Sequence, residues 1–160
     1  MATIVTKLFN IVQPTNAYFG QKDAAQCCLI QRVVEDLDMP LNIDIIPTIR
    51  EDDGLAMSSR NAYLSTPERS AAPVVYRSLC AAKKLLLDLD ESDATLSASQ
   101  IRDAVISTLQ SEPLVSDIQY VAVDDKGTMQ PLEHVTRKDG AIVSLACKVG
   151  SVRLIDNIVL

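Results

Sequence analysis

The sequence predicts an α/β chain in two pieces: an α/β layered unit over residues 1–64 and a small α+β unit with an antiparallel sheet over 65–160. Three observations carry this. Helical and strand-like apolar patterns alternate through residues 1–49, as they do when helices are layered on a parallel sheet. A helix-start signal at Ser65-Thr66-Pro67-Glu68 marks a boundary near Leu64. Beyond it helical patterns come first and strand patterns gather at the end, the order of an α+β unit.

Ile4, Val5, Leu8, Phe9 and Val12 recur at helical spacing, so the first dozen residues form a helix, ended by Gln13-Pro14-Thr15-Asn16. Ala17-Tyr18-Phe19 reads as a short buried strand that stops at Gly20. Cys27, Ile30, Val33, Val34 and Leu37 mark a second amphipathic helix from Lys22 to Asp38, and Met39-Pro40 stops it. Residues 41–49 then run apolar, as a strand buried in a parallel sheet does. In the second piece, either Ser65 with Glu68 or Thr66 ahead of Pro67 caps a helix running to about Leu89. Pro73 lies beyond its first turn and predicts a kink or break. Ser97-Ala98-Ser99-Gln100 opens a further helix closed by Glu112-Pro113. Strands follow at 118–123, 141–147 and 152–159, with turns at Asp124-Asp125-Lys126-Gly127 and around Gly150.

Composition bounds the function. With 48% hydrophobic and 22% charged residues among 160, the chain buries a core, filled by aliphatic side chains because there is no Trp. A net charge of -6 opposes a nucleic-acid surface but not a nucleotide site, which needs only a few cations and backbone N–H groups. No apolar run is long enough to span a bilayer, and no signal-peptide pattern opens the chain. The four cysteines lack CxxC spacing, and neighbouring Cys27 and Cys28 suit a disulfide poorly; reduced, buried thiols in a cytoplasmic protein are expected.

Two segments carry chemistry. Gly20-Gln21-Lys22-Asp23 sits where a strand ends and a helix begins, the place where open α/β sheets bind ligands. Lys22 could neutralise phosphate, Asp23 accept from ribose hydroxyls and Gln26 bind a polar substrate; the plain alternative is a helix start whose Asp23 complements the dipole. Met57-Ser58-Ser59-Arg60 offers two hydroxyls, small-residue amides and a guanidinium, either a triphosphate clamp or a solvated serine-rich loop. Glu51, Asp52 and Asp53 are either helpers for Mg²⁺ or a solvated acidic loop. His134, the single histidine, lies in a polar, turn-rich stretch and is expected at the surface.

Taken together, these strings resemble one family. Residues 3–12, then Ala17-Tyr18-Phe19-Gly20-Gln21-Lys22-Asp23, and above all the run from Pro47 to Ser65 (PTIREDDGLAMSSRNAYLS) closely resemble the pantothenate synthetases, and Arg153-Leu154-Ile155-Asp156-Asn157-Ile158 is similar to the family's final strand. The resemblance covers essentially the whole chain. It implies the second half of a Rossmann-like nucleotidyltransferase domain followed by the α+β domain, and an ATP-dependent ligase that joins pantoate to β-alanine. In that family pantoate becomes a pantoyl adenylate with loss of pyrophosphate, Mg²⁺ assisting, and β-alanine then displaces AMP. The resemblance assigns ATP contacts to Gly20, Gln21, Lys22, Asp23, Met57, Ser58, Ser59 and Arg60 and to the backbone of Ile49, and pantoate binding to Gln26. Met57, Ser58, Ser59 and Arg60 form the implied mobile phosphate loop. Lys22, Ser58, Ser59 and Arg60 are the implied catalytic set, with no residue assigned as a metal ligand.

The chain also departs from the family. Members are longer and carry a Met-Gly-x-Leu-His-x-Gly-His type stretch near the N-terminus, which is absent here. The chain therefore reads as a C-terminal part, expected to be inactive alone. The alternative is a non-catalytic nucleotide-binding or protein-interaction module. Expected partners are pantoate, β-alanine and ATP, together with a second copy in a homodimer or the missing N-terminal half; neither nucleic acid nor membrane is expected.

Overall fold

The computed structural model describes residues 1–89 and 95–160. The chain divides into two compact units, Met1–Thr48 and Ile49–Leu160.

The first unit is a strand–helix–strand crossover preceded by a helix. Helix α1 (Ala2–Val12) ends where Gln13 turns left-handed at φ 50° and its N–H bonds back to the Phe9 carbonyl at 2.8 Å, with Pro14 barring continuation. Strands β1 (Asn16–Gly20) and β2 (Asn42–Ile46) pair in parallel, from Asn16 opposite Asn42 to Gly20 opposite Ile46. Helix α2 (Ala24–Asp36) makes the crossover and buries Ala24, Cys27 and Ile30, a three-residue spacing that lines one face. Phe9 meets Phe19 edge-on, centroids 6.4 Å apart and planes at 84°, joining α1 to β1.

Two expectations change here. Both strands alternate exposed and half-buried instead of being buried, because among the described residues no further strand pairs with either of them; Tyr18 stays 65% exposed. The second strand stops at Ile46, before Pro47, whose ring removes the donor a longer ladder needs. On α1 only Phe9 is buried, while Ile4, Leu8, Ile11 and Val12 face outward.

The second unit packs helices against one antiparallel sheet. Helices α3 (Thr66–Ala71) and α4 (Val74–Leu87) are separated at Pro73, so the expected interruption is a full break. Ser65 caps α3, its N–H and hydroxyl both donating to Glu68 Oε2 at 2.7 and 2.6 Å. Strand β3 (Thr95–Ser97) leads into α5 (Ala98–Gln110), which Ser97 and Gln100 cap reciprocally. The main sheet has the order β4 (Val115–Asp124), β6 (Ile142–Val149), β7 (Val152–Val159), all antiparallel, and β5 (His134–Thr136) pairs with β3. Leu79, Ala82, Ile101, Val105, Leu109, Val143 and Leu145 are fully buried, so α4 and α5 share one core with β6. Each such Val, Leu or Ile side chain contributes roughly 1.5–3 kcal/mol on burial.

Residues 49–64, which the sequence reading joins to the first piece, pack with the second unit. Leu55 and Ala56 are each only 3% exposed, and Leu55 belongs to the α4–α5–β6 core.

The contrast in burial sets an order of opening. Amide exchange across residues 43–46 of β2 is expected to be at least tenfold faster than across 143–145 of β6. Equal or greater protection in β2 contradicts this.

Candidate functional site

In the first unit, β1 delivers Gly20 to the start of the crossover. A 3₁₀ turn (Gln21–Asp23) then precedes α2, so Lys22 and Asp23 stand on that turn and Gln26 alone lies within the α-helix. Gly20 has an ordinary extended backbone, φ -76° and ψ 129°, and a Cβ placed there meets nothing within 4 Å. Its lack of a side chain is required neither by conformation nor by neighbours; the space above it is open for a close approach from outside. The Cys27 thiol donates to the Gly20 carbonyl at 3.4 Å, tying the helix to the strand end. Burial, with the Asp23 charge adding to it, raises the Cys27 pKa and keeps it a thiol. Asp23 is exposed and its carboxylate makes no capping bond to α2, so the helix start does not consume it. Gln21, Lys22 and Gln26 are half-buried around this turn.

In the second unit, residues 49–61 form a closed excursion. The Met57 N–H donates to the Ile49 carbonyl at 3.0 Å, so two residues singled out separately in the sequence are bonded backbone to backbone. Inside that closure Arg50 pairs with Ala56 across an antiparallel bridge, and the Glu51 N–H reaches the Leu55 carbonyl at 2.9 Å. Gly54 turns the tip at φ 90°, a conformation that favours glycine. Ser58 is extended and caps a 3₁₀ helix (Ser59–Tyr63), its hydroxyl oxygen accepting from the Arg60 N–H at 3.2 Å. The Asn61 side chain donates to the Ala56 carbonyl at 3.2 Å. Met57, Ser59 and Arg60 are exposed and Ser58 half-buried, so the cation, both hydroxyls and the start of a short helix lie on one short segment.

The acidic residues divide. Asp53 accepts from the Leu55 N–H at 3.1 Å and pairs with Arg69 at 2.5 Å, which holds its carboxyl below the usual range. Among the described residues no three His, Cys, Asp or Glu side chains cluster as a metal would require. His134 is exposed on β5, and all four cysteines are free thiols. Among the described residues no helix is long and apolar enough to cross a membrane.

Sequence reasoning left Arg50 without a role. Its guanidinium forms a bidentate pair with Asp156, Nη1 to Oδ2 at 2.6 Å and Nη2 to Oδ1 at 3.0 Å, and lies 3.8 Å above the Tyr76 ring centroid. Both partners fall in or beside strings already noticed, but 106 positions separate Arg50 from Asp156.

The family profile described as Pantoate-beta-alanine ligase matches residues 1–159. The chain belongs to this ligase family. It is 49% identical over its entire length to the pantothenate synthetase of Herpetosiphon aurantiacus, covering 55% of that protein. A crystal structure of pantothenate synthetase from Thermus thermophilus matches with a TM-score of 0.86 and 38% identity over 98% of the chain and 54% of that protein. The ligase from Francisella tularensis, solved in complex with beta-gamma ATP and beta-alanine, matches with a TM-score of 0.62 and 29% identity, over 99% of the chain and 48% of that protein. The chain thus spans about half the length of these family members.

The Asp53–Arg69 pair gives a pH dependence with a defined sign. Because its folded carboxyl is depressed below the ordinary value of about 4, the pair's contribution is present above that value and lost as pH falls through the depressed one. Exposure limits it to about 0.2–1 kcal/mol. Asp53→Asn is expected to lower the thermal midpoint slightly at neutral pH, and the gap from the parent closes on acidification. A gap that stays unchanged on acidification contradicts the assignment.

Proposed function

We propose that this chain supplies the nucleotide- and pantoate-handling part of a pantoate–β-alanine ligase. The observation that carries the reading is the family match across residues 1–159, which includes both chemistry-bearing segments. ATP and β-alanine enter this reading from the Francisella tularensis complex, and pantoate from the family description.

The reaction joins a carboxylate to an amine. A pantoate carboxylate oxygen attacks the α-phosphorus of ATP, the α–β bridging bond breaks and pyrophosphate leaves. The β-alanine amine then attacks the acyl carbon, AMP departs and the amine loses a proton. Charge accumulates on the departing pyrophosphate, and fixed cations and N–H groups are what stabilise it. Lys22 and Arg60 supply the cations in this reading, and Ser58 and Ser59 donate hydroxyl hydrogens to phosphate oxygens. Ser58 suits this role because its oxygen lone pair already serves the Arg60 N–H, leaving the O–H to donate outward. Gly20, Gln21 and Asp23 receive the nucleotide, with Ile49 and Met57 contributing at the foot of the excursion, and Gln26 binds pantoate. The acidic loop does not fit a resident metal cage, since Asp53 is engaged by Arg69. Mg²⁺ therefore belongs to this reading as a companion of the phosphates, which it prefers to all-protein sites. Free thiols fit a reducing compartment and the cytoplasm.

A second reading, a nucleotide-binding module without ligase activity, is favoured by one observation: the single histidine is exposed on β5 and cannot supply a histidine pair. The two readings part on assay. The 160-residue chain alone is expected to make no pantothenate from pantoate, β-alanine and ATP, and to make it when joined to the N-terminal half of a family member. Turnover by the isolated chain refutes the first expectation; no turnover in the joined protein refutes the ligase reading.

In the joined protein, Lys22→Ala is expected to slow turnover by roughly 10²–10³, the scale for removing one preorganised donor. Arg60→Lys is also damaging, because an ammonium cannot reproduce the planar fork. Both losses fall on adenylate formation. If the variants are equally slow when given preformed pantoyl adenylate, their assignment to pyrophosphate departure is wrong.

A further inference from the structure

We propose that Arg50 is a positioning residue for the ATP reaction, fixing the segment 57–60 by locking the excursion that carries it to β7 and α4. This rests on the assignment of that segment to phosphate, made above.

An arginine seven residues before a phosphate-binding methionine invites assignment as a phosphate ligand. Its geometry opposes that. Nη1 donates to Asp156 Oδ2 at 2.6 Å and to the Gly54 carbonyl at 3.1 Å; Nη2 donates to Asp156 Oδ1 at 3.0 Å and to the Asn157 carbonyl at 3.3 Å. All four terminal N–H groups are used within the chain. The charge is also matched, by a carboxylate that is only 1% exposed. The guanidinium plane rests on Tyr76.

These bonds have a direction. Asp156 and Asn157 belong to β7, whose register against β6 is fixed from Ile142–Val159 to Val149–Val152. Tyr76 stands on α4, inside the same core unit. The Gly54 carbonyl is the tip of the excursion, and the Arg50 backbone bridges to Ala56, the residue before Met57. One side chain therefore ties the foot and tip of the excursion to two rigid elements. Gly54 completes the lock. A Cβ there would lie 2.5 Å from Tyr76 Cδ1, so the tip is seated against the ring that carries the guanidinium.

Stability alone does not account for such a pair, since apolar replacements of buried ion pairs are often neutral or stabilising. What a planar, bidentate fork adds is orientation. Lysine at this position keeps the charge and loses the fork, and Tyr76→Phe keeps the ring while Tyr76→Leu removes it.

The test uses the 160-residue chain. In Arg50→Lys, the amides of Met57 and Asn61 are expected to exchange at least tenfold faster, while residues 143–145 of β6 keep their protection. Tyr76→Leu loosens the same two amides and Tyr76→Phe leaves them as in the parent. ATP titrated into the chain binds about tenfold more weakly to Arg50→Lys than to the parent. Unchanged loop exchange in Arg50→Lys overturns the proposal. So does loosening of loop and β6 together, which marks a merely structural role, and so does a loosened loop with unaltered ATP affinity. If Arg50→Lys does not fold, the two Tyr76 variants decide by the same criteria. Should the parent chain bind no ATP, the phosphate assignment fails, and with it the role in the ATP reaction; the exchange results then still decide whether Arg50 orders the excursion.

Discussion

The burial of β6 is the constraint from which the second unit follows. Of its eight residues only Ser144 and Lys148 are not buried, so it needs a strand on each side and helices across it. Antiparallel pairing with β4 and β7 satisfies its backbone groups, and α4 and α5 cover its apolar side chains. Once β7 is held in that register, Asp156 and Asn157 have fixed positions and are themselves only 2% exposed. A buried carboxylate demands a cationic partner. The excursion beginning at Ile49 supplies one through Arg50, so the placement of the serine–arginine segment descends, step by step, from a core strand nearly a hundred residues later in the chain.

The first unit is built on the opposite terms. Two short strands and two helices bury Phe9, Ala24, Cys27 and Ile30, and little else. Its apolar surplus stays outside, on α1 and on the uncovered side of the strand pair. What order it has comes from local devices: the left-handed stop at Gln13, the aromatic contact of Phe9 with Phe19, and the Cys27 bond to the Gly20 carbonyl. The turn at Gln21–Asp23 thus sits on the less buried of the two units, beside a thiol that burial keeps protonated.

The sequence was legible where one residue type enforces one local outcome. Ser65 with Glu68, Ser97 with Gln100, and Pro73 announce helix ends whatever the surroundings, and each appears as expected. The parallel pairing of β1 with β2 was readable from the alternation of helix and strand. The three-residue strands β3 and β5 were not, because a period of two cannot show itself in three residues. Exposure of the strand pair was also hidden: apolar periodicity reports which face wants cover, not whether cover exists. The candidate site residues stood out as strings, and the family resemblance those strings carry agrees with the match over residues 1–159. Their bonding was not found. The Ile49–Met57 closure and the Ser58 cap depend on backbone angles, and the Arg50–Asp156 pair joins residues too far apart for any spacing rule.

Gly20 separates two pressures that usually coincide. Glycines at sharp turns are held by their own chain: Gly54 could not change without striking Tyr76. Gly20 has no such internal tenant, since its backbone is one any residue adopts and its missing side chain leaves open space. Among the described residues, neither the backbone at Gly20 nor its neighbours would resist a side chain there. The two glycines thus differ in kind: a side chain at Gly54 would meet Tyr76, whereas one at Gly20 would enter open space.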